Sequence, residues 1–179
     1  MKLLERLHER HIYQRRIGVL AAAVAELLPS DATVLDVGAG DGAVAEQLLA
    51  LRPDLDVRGL DVLLRPGARI PIEHFDGLTI PIPDRSVDAI IVVDVIHHAT
   101  DPSRLLAECL RVARNCVVIK DHLAEGFVAT STLRFMDRVG RPLHSPNCFS
   151  RALVDGKYIR RVLRGHAVKD LDQETIAVQ

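Results

Sequence analysis

Residues 34–42 read VLDVGAGDG, an apolar, β-branched run that passes directly into glycines at alternate positions, Gly38, Gly40 and Gly42. Val and Leu suit a buried strand. Glycine lets the chain turn through left-handed backbone and lets a ligand approach where other residues carry a Cβ. The next stretch, AVAEQLLAL, has no helix breaker. Strand, glycine turn and helix form the first half of a βαβ unit, which commits the chain to a parallel sheet with right-handed crossovers.

The remaining pattern repeats that alternation. Short β-rich runs at 33–37, 56–60, 87–93 and 116–119 are separated by helical stretches at 41–51 and 102–113, the second with Asp101 as N-cap and Pro102 at its first position. The run AIIVV at 89–93 has no polar alternation, which predicts a strand covered on both faces. At the amino end Leu3, Leu4, Leu7, Ile17, Ala21, Val24 and Leu28 recur at helical spacing, predicting one or two helices stopped by Pro29 and Ser30. The predicted class is α/β, a Rossmann-like, mostly parallel sheet with flanking helices. With 179 residues, 48% of them hydrophobic, one domain over 1–179 is expected, with a helical flank at 1–29 and a ligand-binding core at 30–122.

Charge narrows the partners. Lys and Arg number 23 against 24 Asp and Glu, a formal net charge of −1, so there is no global basic footprint for nucleic acid or an anionic membrane. No apolar run approaches the roughly 20 residues that span a bilayer, and a cytoplasmic protein with a small-molecule partner is expected. Cys109, Cys116 and Cys148 form no CxxC pair, which argues against a disulfide framework and a structural zinc site.

In open parallel sheets ligands bind beyond the carboxyl ends of the strands. Four segments fall there: the glycine turn; GLDV, ending in Asp61 and Val62; FDG at 75–77, with Asp76 and Gly77; and the pair VVDVIHH and VVIKDH, which bring Asp94, His97, His98, Lys120, Asp121 and His122. Gly38, Gly40 and Ala43 also satisfy G-x-G-x-x-G/A, with Asp61 about 20 residues on as a ribose acid, so the glycine pattern alone admits a dinucleotide. Charge separates the readings. A dinucleotide sets an anionic pyrophosphate against this turn, where Asp36 and Asp41 flank the glycines, whereas a sulfonium ligand suits the two acids.

Over roughly residues 30–150 these motifs resemble the class I S-adenosylmethionine-dependent methyltransferases. The resemblance implies S-adenosylmethionine as methyl donor and S-adenosylhomocysteine as product. It implies that Asp61 holds the ribose hydroxyls, followed by Val62, and that Gly38, Ala39 and Gly40 approach the methionine part above Asp36. Asp76 and Gly77 then belong at the adenine, and Asp94 beside the donor. Residues 123–179 become an acceptor-side segment, whose stretches 158–163 and 175–178 are candidates for shortened closing antiparallel strands.

The function expected is methyl transfer to a small-molecule oxygen or nitrogen nucleophile. A nicotinamide-dependent oxidoreductase and a non-catalytic S-adenosylmethionine-binding relative are the alternatives. If the nucleophile must lose a proton, His98 or His122 is the expected base, since imidazole titrates near neutrality. The competing reading has one histidine of the pair 97–98 packed under the following loop and the other solvated. No metal is expected, because Asp94, His98, Asp121, His122 and His144 match no tight ligand spacing. On the first helix His8, His11, Tyr13 and Arg15 are placed to close over the donor or to form a solvated face, with Tyr13 or Arg15 nearest its carboxylate.

Overall fold

The computed structural model describes residues 2–121, 168–170 and 175–178, with side chains over 13–121. Helix α1 (Lys2–Ala25) leads into β1 (Thr33–Val37), α2 (Ala43–Leu51), β2 (Asp56–Asp61), β3 (Ile72–His74), β4 (Val87–Val93), a 3₁₀ turn (Ile96–His98), α3 (Pro102–Val112) and β5 (Ala113–Lys120). Strands β6 (Val168–Asp170) and β7 (Thr175–Val178) complete one sheet in the order β3-β2-β1-β4-β5-β7-β6. The pairs among β1 to β5 are parallel and the two involving β7 antiparallel. The expected strand at 175–178 is present; 158–163 lies outside the described residues, and the second antiparallel strand is Val168–Asp170.

Strand alternation divides the core in two. Val34, Ala89, Ile91 and Val118 pack with Ala21, Val24, Ala45 and Leu48 of α1 and α2. Their neighbours Leu35, Ile90, Val92 and Ile119 pack on the other face with Leu105, Leu106 and Cys109 of α3. Register holds the two faces in step, Val34 opposite Ala89, Leu35 opposite Ile90 and Asp36 opposite Ile91. Asp36, two residues after Val34, therefore shares the α1 face.

The ends of the elements differ from the sequence pattern where tertiary bonds intervene. Helix α1 stops at Ala25, short of Pro29, and Arg52 takes over its orphan carbonyls, donating to Ala25 O at 2.8 Å and to Pro29 O at 2.9 Å while Asp54 grips its other edge at 2.7 Å. Helix α2 starts at Ala43 because Gly42 is left-handed at φ 80°. The Asp101 cap is as expected, accepting from Arg104 N at 3.0 Å. Strand β3 has a single apolar residue, Ile72, too little for a periodic signal, and residues 62–71 before it hold no helix. That connection lies across the α2 amino end, with Arg69 N donating to Asp41 O at 3.0 Å.

Leu106 on α3 is fully buried. Leu106→Ala is expected to cost about 2–5 kcal/mol in urea unfolding. Val19→Ala, on the 64% exposed face of α1, should change stability by no more than about 0.5 kcal/mol. Equal losses at the two positions would show that α3 does not pack as described.

Candidate functional site

Consecutive crossovers from β1 go to opposite sides, to β2 on one and by way of β3 to β4 on the other, which opens a crevice at the carboxyl ends of β1 and β4. The glycine turn sits there. Gly38 N and Ala39 N donate to Leu60 O at 2.7 and 3.1 Å, and Gly40 N donates to Asp61 Oδ2 at 2.7 Å. The other Asp61 oxygen accepts from Leu63 N at 2.8 Å. One buried carboxylate thus fixes both the glycine turn and the exit from β2.

The glycines do different work. A Cβ on Gly38 would fall 2.3 Å from Val95 Cγ2, and one on Gly42 2.8 Å from Ile70 Cγ1, so these two exist for packing. At Gly40, φ 65°, only the Arg65 guanidinium comes near, at 3.1 Å, so the turn is least crowded at Gly40. Val95 brings the chain past β4 against the turn.

Burial sets the charge of the floor. Asp36 is 3% exposed, and its carboxyl is pushed up to about 7, first by burial and then by the charge of Asp61. Asp41 differs from its expected part: Arg69 pairs with it at 3.3 Å and its other oxygen accepts from Ala43 N. The acidity against a ligand therefore comes from Asp36 and Asp61.

The third expected segment joins the same crevice. Gly77, φ 77°, lies against the half-exposed Val62, whose Cγ1 is 3.0 Å from the position of a Cβ. Asp76 Oδ1 accepts from Leu78 N and Thr79 N at 2.8 and 2.6 Å, and these bonds hold its carboxyl below the usual range. Helix α3 secures the loop: Arg111 donates to Ile80 O and Ile82 O, and Glu108 accepts from Ile80 N.

Past β4 and β5 the side chains sort by face. Asp94, left-handed at φ 56°, pairs with Lys120 Nζ at 2.8 Å and with Arg16 of α1 at 2.5 Å. Arg16, and not Arg15, ties the first helix to the crevice. Tyr13 stands nearby, its hydroxyl pushed up first by burial and then by Asp41; the side chains of His8 and His11 lie outside the described residues. One residue after Lys120, Asp121 turns to the α3 face and is 2% exposed. It accepts from His97 N at 3.3 Å and meets His97 Nδ1 at 2.5 Å. His98 is exposed, its ring 3.8 Å from that of His97, and His122 lies outside the described residues. Of the pair, His97 is half-buried and held by Asp121, and His98 lies at the surface. The pairings of Arg16 and Lys120 with Asp94 were missed from sequence, where the acids Asp94 and Asp121 were both expected to orient the imidazoles; period-2 alternation at the end of β5 was the available signal. Among the described residues no three His, Cys, Asp or Glu side chains group as a metal site, and no helix is long and apolar enough to cross a membrane.

The arrangement defines a Rossmann-like ligand-binding domain with an acid at the end of β2. Residues 35–116 match the family described as a methyltransferase domain, a match that supports a class I S-adenosylmethionine-dependent methyltransferase. A probable S-adenosylmethionine-dependent methyltransferase of Mycolicibacterium smegmatis is 32% identical over 88 residues, 45% of this chain and 34% of the relative. A demethylmenaquinone methyltransferase of Thermotoga maritima is 32% identical over 131 residues, 64% of this chain and 56% of that protein. In fold, the chain is similar to a solved S-adenosylmethionine-dependent methyltransferase of Thermotoga maritima, with TM-score 0.72 and 16% identity over 99% of this chain and 96% of the other. The chain thus spans about a third to a half of the length of these sequence relatives.

The raised Asp36 has a thermodynamic signature. With a folded value near 7 against an ordinary 3.8, the folded state holds the proton that the unfolded state releases, so stability falls as pH rises from about 4 to about 7 and the full penalty remains above. Asp36→Asn is expected to stabilise the ligand-free protein by roughly 2–4 kcal/mol at pH 8 and by little at pH 4. Equal effects at both values in thermal melts would mean that Asp36 is not desolvated.

Proposed function

We propose that this protein transfers the methyl group of S-adenosylmethionine to a small molecule through an oxygen or nitrogen nucleophile. The observation that carries the reading is the buried carboxylate pair beneath the glycine turn, Asp36 and Asp61, with the open side of Gly40 above it. The Asp61 charge repels a pyrophosphate, and Asp36, raised to about 7 in the empty site, is drawn into its charged form by a ligand bearing a sulfonium and an ammonium, which disfavours the nicotinamide alternative.

The residues fit such a donor. Asp61 presents lone pairs to ribose hydroxyls while its backbone bonds keep it in place. Val62 and Gly77 form an apolar surface for adenine, with Asp76 at its edge, and Asp36 lies under the methionine part near Ala39, Gly38 and the Asp94 cluster. When bound, S-adenosylmethionine supplies an electrophilic methyl group on a sulfonium. The protein contributes by holding donor and nucleophile at reacting distance, which removes much of the barrier. The near-neutral charge balance supports a small acceptor over a polyanion. Where the nucleophile carries an acidic proton, the histidines past β4 and β5, His97, His98 and His122, have the titration range to take it.

S-adenosylhomocysteine at 100 times its Kd is expected to stabilise the protein by about 2.7 kcal/mol, with NAD and NADP at equal concentration giving little. A larger shift with NAD overturns the reading. Asp61→Asn should weaken S-adenosylhomocysteine about tenfold or more in titration calorimetry, since hydrogen bonds to a charged acceptor are worth about 1.5–3 kcal/mol. Unchanged affinity would place the ribose elsewhere.

A further inference from the structure

We propose that Arg65 receives the carboxylate at the amino-acid end of the donor, so that a guanidinium from the connection after β2 selects an amino-acid-bearing nucleoside over the same molecule without its carboxylate. This rests on the methyl-transfer reading and adds to it the side chain that recognises the donor's anionic group.

Distances place the guanidinium. Arg65 Nη1 lies 3.1 Å from the position of a Cβ on Gly40, the member of the turn that no apolar side chain covers. On its other side Gly40 N donates to Asp61 Oδ2 at 2.7 Å. One glycine thus stands between an acid and a cation. Asp61 turns its two oxygens to the backbone N–H groups of Gly40 and Leu63, and Arg65 pairs with no acid among the described residues. The connection that carries Arg65 is fixed at both ends, by Leu63 N on Asp61 and by Arg69 N on Asp41 O with Ile70 against Gly42. The chain holds the guanidinium in place and leaves its fork of donors to a ligand.

The other cations around the turn have acids of their own. Arg69 pairs with Asp41 at 3.3 Å and with Glu46 at 2.6 Å, and Arg16 pairs with Asp94. Tyr13 of α1 has its hydroxyl pushed up first by burial and then by Asp41, against the pull of Arg69, Arg65 and Arg16. It therefore stays neutral and brings no charge that competes for the guanidinium.

Charge balance selects the ligand. An amino acid carries its ammonium and its carboxylate on one carbon, so a site for it sets an acid and a cation close together. Asp36 and Asp61 beneath the turn and Arg65 over Gly40 supply that combination. A guanidinium meets a carboxylate through parallel N–H donors, a geometry that adds specificity to the charge. A pyrophosphate brings two negative charges to a place that offers one guanidinium beside the Asp61 charge.

The test compares S-adenosylmethionine with its decarboxylated form, which keeps the sulfonium and the ammonium, by titration calorimetry on the full chain. The wild-type protein should bind S-adenosylmethionine about tenfold or more tighter than the decarboxylated form, the usual return from hydrogen bonds to a charged partner. Arg65→Gln should bring the two affinities within about threefold by weakening S-adenosylmethionine alone, and Arg65→Lys should keep part of the difference, since an ammonium retains the charge and loses the fork. No preference in the wild-type protein, a preference that survives Arg65→Gln, or an equal change in both affinities overturns the assignment while leaving methyl transfer standing. A wild-type protein that binds neither S-adenosylmethionine nor S-adenosylhomocysteine overturns the methyl-transfer reading and the assignment with it.

Discussion

Asp61 is 7% exposed, and its two oxygens take the N–H groups of Gly40 and Leu63. That pair of charge-assisted bonds holds together two stretches of chain that no regular element supports: a turn with three left-handed glycines, and a ten-residue connection without a helix. Parallel strands are ordinarily joined through a helix that covers the sheet. Here the connection runs back over the α2 amino end, held by Arg69 and by Ile70 against Gly42, and leaves Val62, Leu63 and Leu64 half-exposed at the crevice.

The same economy explains why the floor of the crevice is a strained place. Asp36 is buried beside Asp61 with its carboxyl raised to about 7, a local arrangement that disfavours the empty folded state above neutrality. Removing water around carboxylates in advance is what lets them act strongly on a cationic ligand. Sites of this kind break the rules that the rest of the fold obeys, and the apolar layers on either side of the sheet supply the stability that tolerates it.

Much of this was legible in the sequence, and the limits have physical causes. Strands β4 and β5 announced themselves because burial on both faces demands unbroken apolar runs, β1 and β2 through the glycine turn and the acid at their ends, and α3 because Asp101 and Pro102 mark a helix start. Strand β3 was invisible since three residues with one apolar side chain carry no period. The glycine motif identified the turn but could not say that Gly38 and Gly42 answer to Val95 and Ile70 while Gly40 meets only the Arg65 guanidinium; that division depends on side chains 25 or more residues away. Asp41 looked like a free acid until Arg69, from the connection after β2, was found paired with it. Histidine is the sharpest case. His97 and His98 are adjacent and chemically identical in sequence, and only the pairing with Asp121 across β4 and β5 tells them apart.

That pairing follows from the oldest property of a strand, its two-residue period. Lys120 and Asp121 stand side by side at the end of β5, and one step of the backbone sends the cation to the α1 face and the acid to the α3 face. The backbone bond from Asp94 N to Lys120 O at 2.8 Å sets that register just past the last paired residues, Val93 and Lys120. A left-handed Asp94, unfavourable for most residues, is the conformation in which that backbone bond and the side-chain pairs to Arg16 and Lys120 are made together.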